Sequence, residues 1–333
     1  MNKEAQFWQS IEGLAVQCYL CPHNCKIPEG KTGICGVRKN QQGMLFSEIY
    51  GEVTGYGLDP IEKKPLYHYY PSHQILSLGT KGCNFKCPYC QNWHISQDPD
   101  TNSNYLSPEK AVAAALRDDS FGISYTYSEP LIWIEYVMDT AILARQRGLK
   151  NVLVTNGFIN PEPLEKLIPV VDAANIDVKS FDPEFYKTIC KGRLEPVLET
   201  CERVIKDWHI EITHLMVPFK KENELLDDIE KMCKWMADKL GKDVPLHLSR
   251  YFPNYKMKLE ATPVAMMKKA AEIASKYLNF VYLGNVMLDQ GNDTVCPKCG
   301  TVLIERVGYN THILSIKDSR CTNCGNVVAI PGT

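Results

Sequence analysis

Residues 74–92 read Gln74-Ile75-Leu76-Ser77-Leu78-Gly79-Thr80-Lys81-Gly82-Cys83-Asn84-Phe85-Lys86-Cys87-Pro88-Tyr89-Cys90-Gln91-Asn92. The short apolar run Ile75–Leu78 predicts a buried strand, and three cysteines follow it directly. Thiolates spaced x3 and x2 can each take one iron of a four-iron cubane and leave the fourth iron without a protein ligand. A metal site with one open position is a reactive one, whereas four protein ligands close it. A zinc knuckle completed by an asparagine or by His94 is the competing reading of the same residues.

Downstream, short apolar runs alternate with amphipathic stretches. Strands are expected at Gly122–Tyr127, Asn151–Thr155, Ala174–Val178, Glu211–Val217, Pro245–Ser249 and Phe280–Leu283. Helices are expected at Pro108–Arg117, Leu131–Arg147, Pro161–Ile168, Pro183–Ile189, Asn223–Leu240 and Pro263–Tyr277. Proline suits the first helical turn, and Ser107 and Asp182 precede two of these starts as N-cap candidates. Strand–helix alternation repeated about six times implies parallel strands covered by helices. The expected fold is therefore α/β, a partial (β/α)6 TIM-like barrel over residues 73–290, with its site at the C-terminal strand ends.

Two further cysteine sets flank this core. The chain carries 14 cysteines, and 11 fall in three short clusters. Clustered thiols in a reducing compartment point to metal or iron–sulfur ligation rather than to disulfides. Residues 1–72 form a turn-rich, cysteine-rich segment containing Cys18, Cys21, Cys25 and Cys35, with Met44–Tyr50 as one strand of a small hairpin. Four thiols there could close a structural zinc site or hold an auxiliary iron–sulfur cluster. Residues 291–333 carry Cys296-Pro-Lys-Cys299-Gly and Cys321-Thr-Asn-Cys324-Gly. Two such knuckles joined by strand-forming residues make a zinc-ribbon-like module. Cys190, Cys201 and Cys233 stand alone and are expected to be small buried hydrophobes.

Composition narrows the class. Of 333 residues, 37 are Lys or Arg and 39 Asp or Glu, so the formal net charge is −2 and a broadly basic nucleic-acid binder is disfavoured. No apolar run approaches the roughly 18–20 residues of a membrane span, and the first ten residues form no secretory signal. A soluble cytoplasmic chain is expected, with no membrane and no nucleic-acid partner.

The Cys83–Cys87–Cys90 spacing, after a first strand and before an α/β barrel, resembles the radical S-adenosylmethionine superfamily. That resemblance implies a [4Fe-4S] cluster on the three cysteines, with S-adenosylmethionine chelated to the open iron. Reductive cleavage to methionine and a 5′-deoxyadenosyl radical would follow. It also implies roles for residues at the other strand ends. Glu129, in Ser128-Glu129-Pro130, would meet the methionyl ammonium, although Tyr127 and Ser128 stand where the family carries glycines. Alternatively, Glu129 caps the following helix. Asn156, in Thr155-Asn156-Gly157, would bond the cofactor or simply take a turn conformation. Asp177-Val178-Lys179 resembles a motif of glycyl-radical-enzyme activating enzymes, with Lys179 on the methionyl carboxylate and Asp177 on the ribose or a cation. A plain ion pair at the barrel mouth is the alternative. Tyr89 and Ser128 join these cofactor-binding candidates, as do His247 and Arg250 in His-Leu-Ser-Arg-Tyr-Phe-Pro, with service to the substrate as the alternative for either of the last two.

The upstream Cys-x2-Cys-Pro-His-Asn-Cys segment, the core motif and the His247–Pro253 stretch together resemble one subfamily, the radical enzyme of the AmmeMemoRadiSam system. It is similar to pyruvate formate-lyase activating enzymes. Memo-like and AMMECR1-like proteins are the partners this implies, and a flavodoxin or ferredoxin the reductant. Three functions are compatible: hydrogen abstraction from a substrate together with those partners, activation of a glycyl-radical enzyme, and a non-catalytic metal-binding scaffold.

Overall fold

The computed structural model describes residues 2–98, 100–286 and 292–333. Its centre is a single sheet of eight strands whose spatial order follows the sequence. Strand β1 (Gly55–Pro60) lies antiparallel at one edge, against β2 (Gln74–Gly79). From β2 onward the strands are all parallel: β3 (Gly122–Tyr125), β4 (Lys150–Thr155), β5 (Ala173–Asp177), β6 (His209–Met216), β7 (Leu246–Arg250) and β8 (Val281–Gly284). The strand expected at Phe280–Leu283 is β8, which takes the sheet beyond the sixfold expectation at one edge, and β1 extends it at the other. The added strand β1 comes from the turn-rich stretch of the first 72 residues. The junction expected between residues 290 and 291 lies outside the described residues.

Helices cover the outer face. They are α1 (Pro108–Arg117), α2 (Ile134–Gln146), α3 (Pro161–Leu167), α4 (Glu195–Val204), α5 (Glu222–Trp235) and α6 (Val264–Ala274). Ser107 caps α1 by accepting from the Lys110 amide, and Pro108 fills its first position. The buried face of α1 is Ala111, Val112, Ala114 and Ala115, small residues that let it approach the sheet. Helix α4 was not foreseen. Its apolar face, Val197, Cys201 and Val204 with Thr200, keeps the spacing of a helix side, but left-handed Lys191 and Pro196 in the first turn interrupt the pattern ahead of it. The Pro183 stretch is one helical turn, capped by Asp182 onto the Glu184 amide, that widens into a π turn at Tyr186–Cys190.

The period of two in the strands decides the interior. Asp177, Thr213, His247 and Tyr282 are neighbours in one row across β5 to β8, so their side chains share the inner face. Glu211, two residues before Thr213, lies beneath that row and is fully buried. Its carboxylate accepts the backbone amides of Tyr67 at 3.0 Å and His68 at 2.7 Å. Asn175 donates to the Pro65 carbonyl. Residues 65–68 therefore cross the inner face as a strap, held by a buried anion.

The first 50 residues fold as two small antiparallel sheets, one pairing Lys3–Glu4, Met44–Ser47 and Arg38–Gln41, the other Trp8–Ser10, Val16–Cys18 and Lys26–Ile27. The tail is a hairpin of Val302–Val307 and Asn310–Ile313 beside a two-stranded piece, Ile316–Lys317 with Arg320–Cys321. It packs Leu303 and Ile304 with Tyr67, Phe280 and Tyr282. Arg306 lies over the Tyr67 ring at 4.4 Å and donates to its carbonyl at 2.7 Å. Among the described residues no helix is long and apolar enough to cross a membrane.

Candidate functional site

The C-terminal ends of the strands open into a cavity of about 310 Å3. Cys83, Cys87 and Cys90 line it, with Tyr89 between them. Facing them are Ser128, Glu129, Asn156, Asp177 and Lys179, contributed by the ends of three different strands. Nine candidates separated by up to 96 positions are thereby brought together.

Each thiol is individually placed. Cys83 Sγ accepts from the Phe85 amide at 3.3 Å, and Cys90 Sγ lies 3.2 Å from the Ser96 hydroxyl. Tyr89 Oη sits 3.5 Å from Cys190 Sγ, so Cys190 is not merely filler: it backs the cysteine loop. Burial pushes the Cys83 thiol up, whereas hydrogen bonding from Cys190 pulls the Cys87 thiol down. Among the described residues, the tail set alone brings three or more thiol, imidazole or carboxylate ligand atoms within 4.8 Å of one another. The central three stand too far apart for one ion and open on a shared cavity. That spacing fits a polynuclear cluster with an open corner.

Glu129 ties two strand ends together. Its Oε1 accepts from the Thr155 hydroxyl at 2.6 Å and the Leu131 amide at 3.0 Å, and its Oε2 from the Asn156 amide at 2.8 Å. The capping role is therefore real, because Leu131 belongs to the 3-10 turn Pro130–Trp133 that Glu129 begins. Burial nevertheless lifts its carboxyl to about 7 against the pull of those three bonds. Tyr127 takes φ = 72°, the left-handed conformation for which glycine is the ordinary residue. Its backbone makes the turn that glycine would make, while its ring packs against Gly79.

Asn156 takes the turn conformation and also reaches the cysteine loop. Its Oδ1 accepts the Phe158 amide in a tight turn, while its Nδ2 donates to Asn84 Oδ1 at 2.8 Å. Asn84 in turn donates to the Phe158 carbonyl. The β4 end is thus locked to the cysteine loop by side-chain amides. Lys179 pairs with Asp177 at 2.6 Å, and both line the cavity. Burial lowers the Lys179 ammonium, but Asp177 and then Cys87 outweigh it and leave the group firmly charged.

Sequence reasoning missed a second cation. Lys64 lines the same cavity, bonded to Asp59 at 2.8 Å and lying 4.6 Å from the centre of the Tyr127 ring. Burial would lift Asp59, yet Lys64, Tyr127 and Lys63 together hold it below the usual carboxylate range. No periodicity marks Lys63 and Lys64, since they follow the edge strand β1. Asn84 was visible inside the motif, but only the fold shows what it bonds.

His247 and Arg250 do not line the cysteine cavity. They line an adjoining space of about 920 Å3 that shares Lys63, Gln91, Thr213, Ser249 and Asn285 with it. His247 Nε2 lies 2.7 Å from Glu211 Oε2, and Arg250 Nε donates to the Thr262 carbonyl. Gly308 and Tyr309, at the tip of the tail hairpin, border the same space. Two hydroxyls in this region, Ser128 Oγ and Thr213 Oγ1, are buried with no partner. Orphaned polar atoms on a cavity wall are what a polar ligand would satisfy.

The sequence pattern of the Radical SAM superfamily matches residues 77–236. The chain belongs to the radical S-adenosylmethionine superfamily, and it is an enzyme of that class. It is 44% identical over 336 residues to the uncharacterized protein MJ0808 of Methanocaldococcus jannaschii, covering 98% of this chain and 99% of that one. A putative glycyl-radical enzyme activating enzyme of the same organism, MJ1632, is 29% identical over 62% of this chain and 79% of its own length. The pyruvate formate-lyase-activating enzyme of Streptococcus mutans is 28% identical over 47% of this chain and 63% of that protein. Among solved structures, Streptococcus suis SuiB bound to S-adenosylmethionine superposes with a TM-score of 0.50 at 12% identity, over 63% of this chain and 52% of SuiB. That likeness concerns the fold. This radical SAM chain thus places the superfamily's cysteine motif where its own barrel opens, and a purely scaffolding role is set aside.

The tail forms a second metal-binding geometry. Cys296 and Cys324 stand 3.7 Å apart at their sulfurs, as do Cys299 and Cys321. A tetrahedral zinc with bonds of about 2.3 Å sets its sulfurs about 3.8 Å apart. Hydrogen bonding by Thr301 draws the Cys299 thiol down to about 5, towards the thiolate that a metal requires.

Proposed function

We propose that Cys83, Cys87 and Cys90 hold a [4Fe-4S] cluster at which S-adenosylmethionine is reductively cleaved, and that hydrogen is then abstracted from a substrate in the adjoining space. The observation carrying this reading is the cavity that joins three spaced thiols to a carboxyl, Glu129, and an ammonium, Lys179. When bound, the cluster and its cofactor supply an electron and a 5′-deoxyadenosyl radical. The chain's own residues bind and orient. A methionyl group carries an ammonium and a carboxylate, and ionised Glu129 and Lys179 offer the complementary charges at the cavity wall, where charge-assisted bonds are strong. Asn156 and Asn84 fix the cysteine loop against β4, and the orphaned Ser128 hydroxyl is available to the same ligand. Tyr89, buried among the thiols, walls the cofactor side. His247 and Arg250 face the substrate.

Within this reading the chain is the cytoplasmic radical enzyme of the AmmeMemoRadiSam type, reduced by a flavodoxin or ferredoxin and acting with Memo-like and AMMECR1-like proteins. The tail holds zinc, and its hairpin tip lies at the substrate space. A second reading, activation of a glycyl-radical enzyme, draws support from the similarity to MJ1632. The position of the extra cysteines ahead of the core motif speaks mildly against it.

The test is spectroscopic. S-adenosylmethionine added to the anaerobically reconstituted, dithionite-reduced chain should shift the cluster's electron paramagnetic resonance signal. The shift should weaken at least tenfold in apparent affinity in Lys179→Ala. An unperturbed signal at saturating cofactor would refute the reading.

A further inference from the structure

The four N-terminal cysteines line a small void together with Leu20, Ile27 and Ile132. Cys18 and Cys35 are buried, and Cys21 and Cys25 partly exposed. Their arrangement differs from that of the tail. There, sulfurs approach to 3.7 Å; here, no three ligand atoms come within 4.8 Å of one another, and a void of about 10 Å3, near the room of one water, stays open between them. A zinc ion bonded to all four would hold the sulfurs about 3.8 Å apart, the spacing that the tail shows and this set does not. Thiolates that stand off a polynuclear core are necessarily wider apart.

Arg38 supplies an independent observation. It lines the void and is 1% exposed. Its Nη1 donates to both oxygens of Glu135, at 2.9 and 3.2 Å, and its Nη2 to the Gln6 carbonyl. Its Nε is buried with no partner. Such an N–H is costly to leave unbonded, and cluster sulfur is an acceptor of the right kind.

The loop is also tied to the central motif. His23 Nε2 donates to the Asn84 carbonyl at 2.8 Å, and Asn160 and Arg193 donate to the carbonyls of Leu20 and Pro22. Gly82, next to Cys83, sits so close that a Cβ there would lie 2.9 Å from the Cys35 carbonyl oxygen.

We infer that Cys18, Cys21, Cys25 and Cys35 bind an iron–sulfur cluster, closed by four thiolates and separate from the central one, with Arg38 Nε donating to its sulfur. The site's existence does not depend on cleavage chemistry at the central motif.

The decisive sample is the full chain with Cys83, Cys87 and Cys90 all replaced by Ala, isolated anaerobically from iron-supplied cells. It should keep about two to four iron atoms per chain with matching sulfide, and a reduced signal that S-adenosylmethionine does not alter. An iron-free folded variant, with or without a second zinc, overturns the inference. If that variant does not fold, the unsubstituted chain decides. More than four iron atoms, of which S-adenosylmethionine perturbs only part in Mössbauer spectra, supports the site. Four or fewer, all perturbed, contradicts it. Failure here leaves the cofactor-responsive signal intact, whereas failure of the proposed function removes that signal.

Discussion

The Thr155 hydroxyl donates to Glu129 Oε1 at 2.6 Å, joining the end of β4 to the turn that follows β3 at the wall of the cysteine cavity. A carboxylate so buried has been committed to a fixed place, and it carries its proton up to about pH 7.

Glu129→Gln keeps the shape and removes the charge. Loss of a charge-assisted bond of about 1.5–3 kcal/mol weakens S-adenosylmethionine binding by roughly 10- to 100-fold, read by equilibrium binding to the reconstituted protein. In the unsubstituted chain, affinity should rise between pH 6 and 8 as Glu129 ionises, and Gln should flatten that rise. The stability effect has the opposite sign. A carboxyl whose folded pKa is raised contributes stability that is full below about 4.5 and is lost as pH rises through about 7. The ligand-free chain should therefore lose part of its melting temperature over that window, and Glu129→Gln should not.

Glu211 acts at the acid side. Burial would raise its carboxyl, but hydrogen bonds from His209 and His247 outweigh this and hold it below the usual range. Burial also lowers His68 to about 3. Both groups have depressed folded pKa values, so their contribution is present at neutral pH. It is lost as pH falls, below about 6.5 for His68 and below about 4.5 for Glu211. Glu211→Ala strands two backbone amides and two imidazoles and should cost roughly 3–5 kcal/mol in denaturant titration.

Gly82 has φ = 90°, and a Cβ would lie 2.6 Å from Val37 and 2.9 Å from the Cys35 carbonyl. Gly82→Ala should cost about 1–3 kcal/mol and displace Cys83. Iron retained after anaerobic desalting should drop, while zinc in the tail stays unchanged.

The tail's metal should be separable from the rest. Cys296→Ser, or chelation, is expected to release about one zinc per chain, measured with a colorimetric indicator. Because Leu303 and Ile304 pack with Tyr67, Phe280 and Tyr282, the melting temperature should fall too, not only the metal content.

Much of this was legible in the chain. The strand starts and ends follow from apolar runs of four to eight residues, and Lys179 and Asp177 share a side because strands alternate. The cysteine spacings were equally plain. What escaped was whatever depends on distant packing. Glu211 sits in an alternating strand like any polar position, and nothing local shows that its partners are the amides of Tyr67 and His68. Lys64 follows an edge strand with no rhythm of its own. Tyr127 hides a glycine-like turn behind a large ring. His247 looked equivalent to its neighbours on the cofactor side, but the register across β6 and β7 sets it beside Glu211 and the adjoining space.

The most direct test of the central claim is 5′-deoxyadenosine formation. The chain is reconstituted anaerobically with iron and sulfide and given dithionite and S-adenosylmethionine, beside the variant with Cys83, Cys87 and Cys90 replaced by Ala. The account predicts 5′-deoxyadenosine from the first and none from the second. Equal formation by both, or none from a chain whose central cluster is fully assembled and offered its partner proteins, would contradict it.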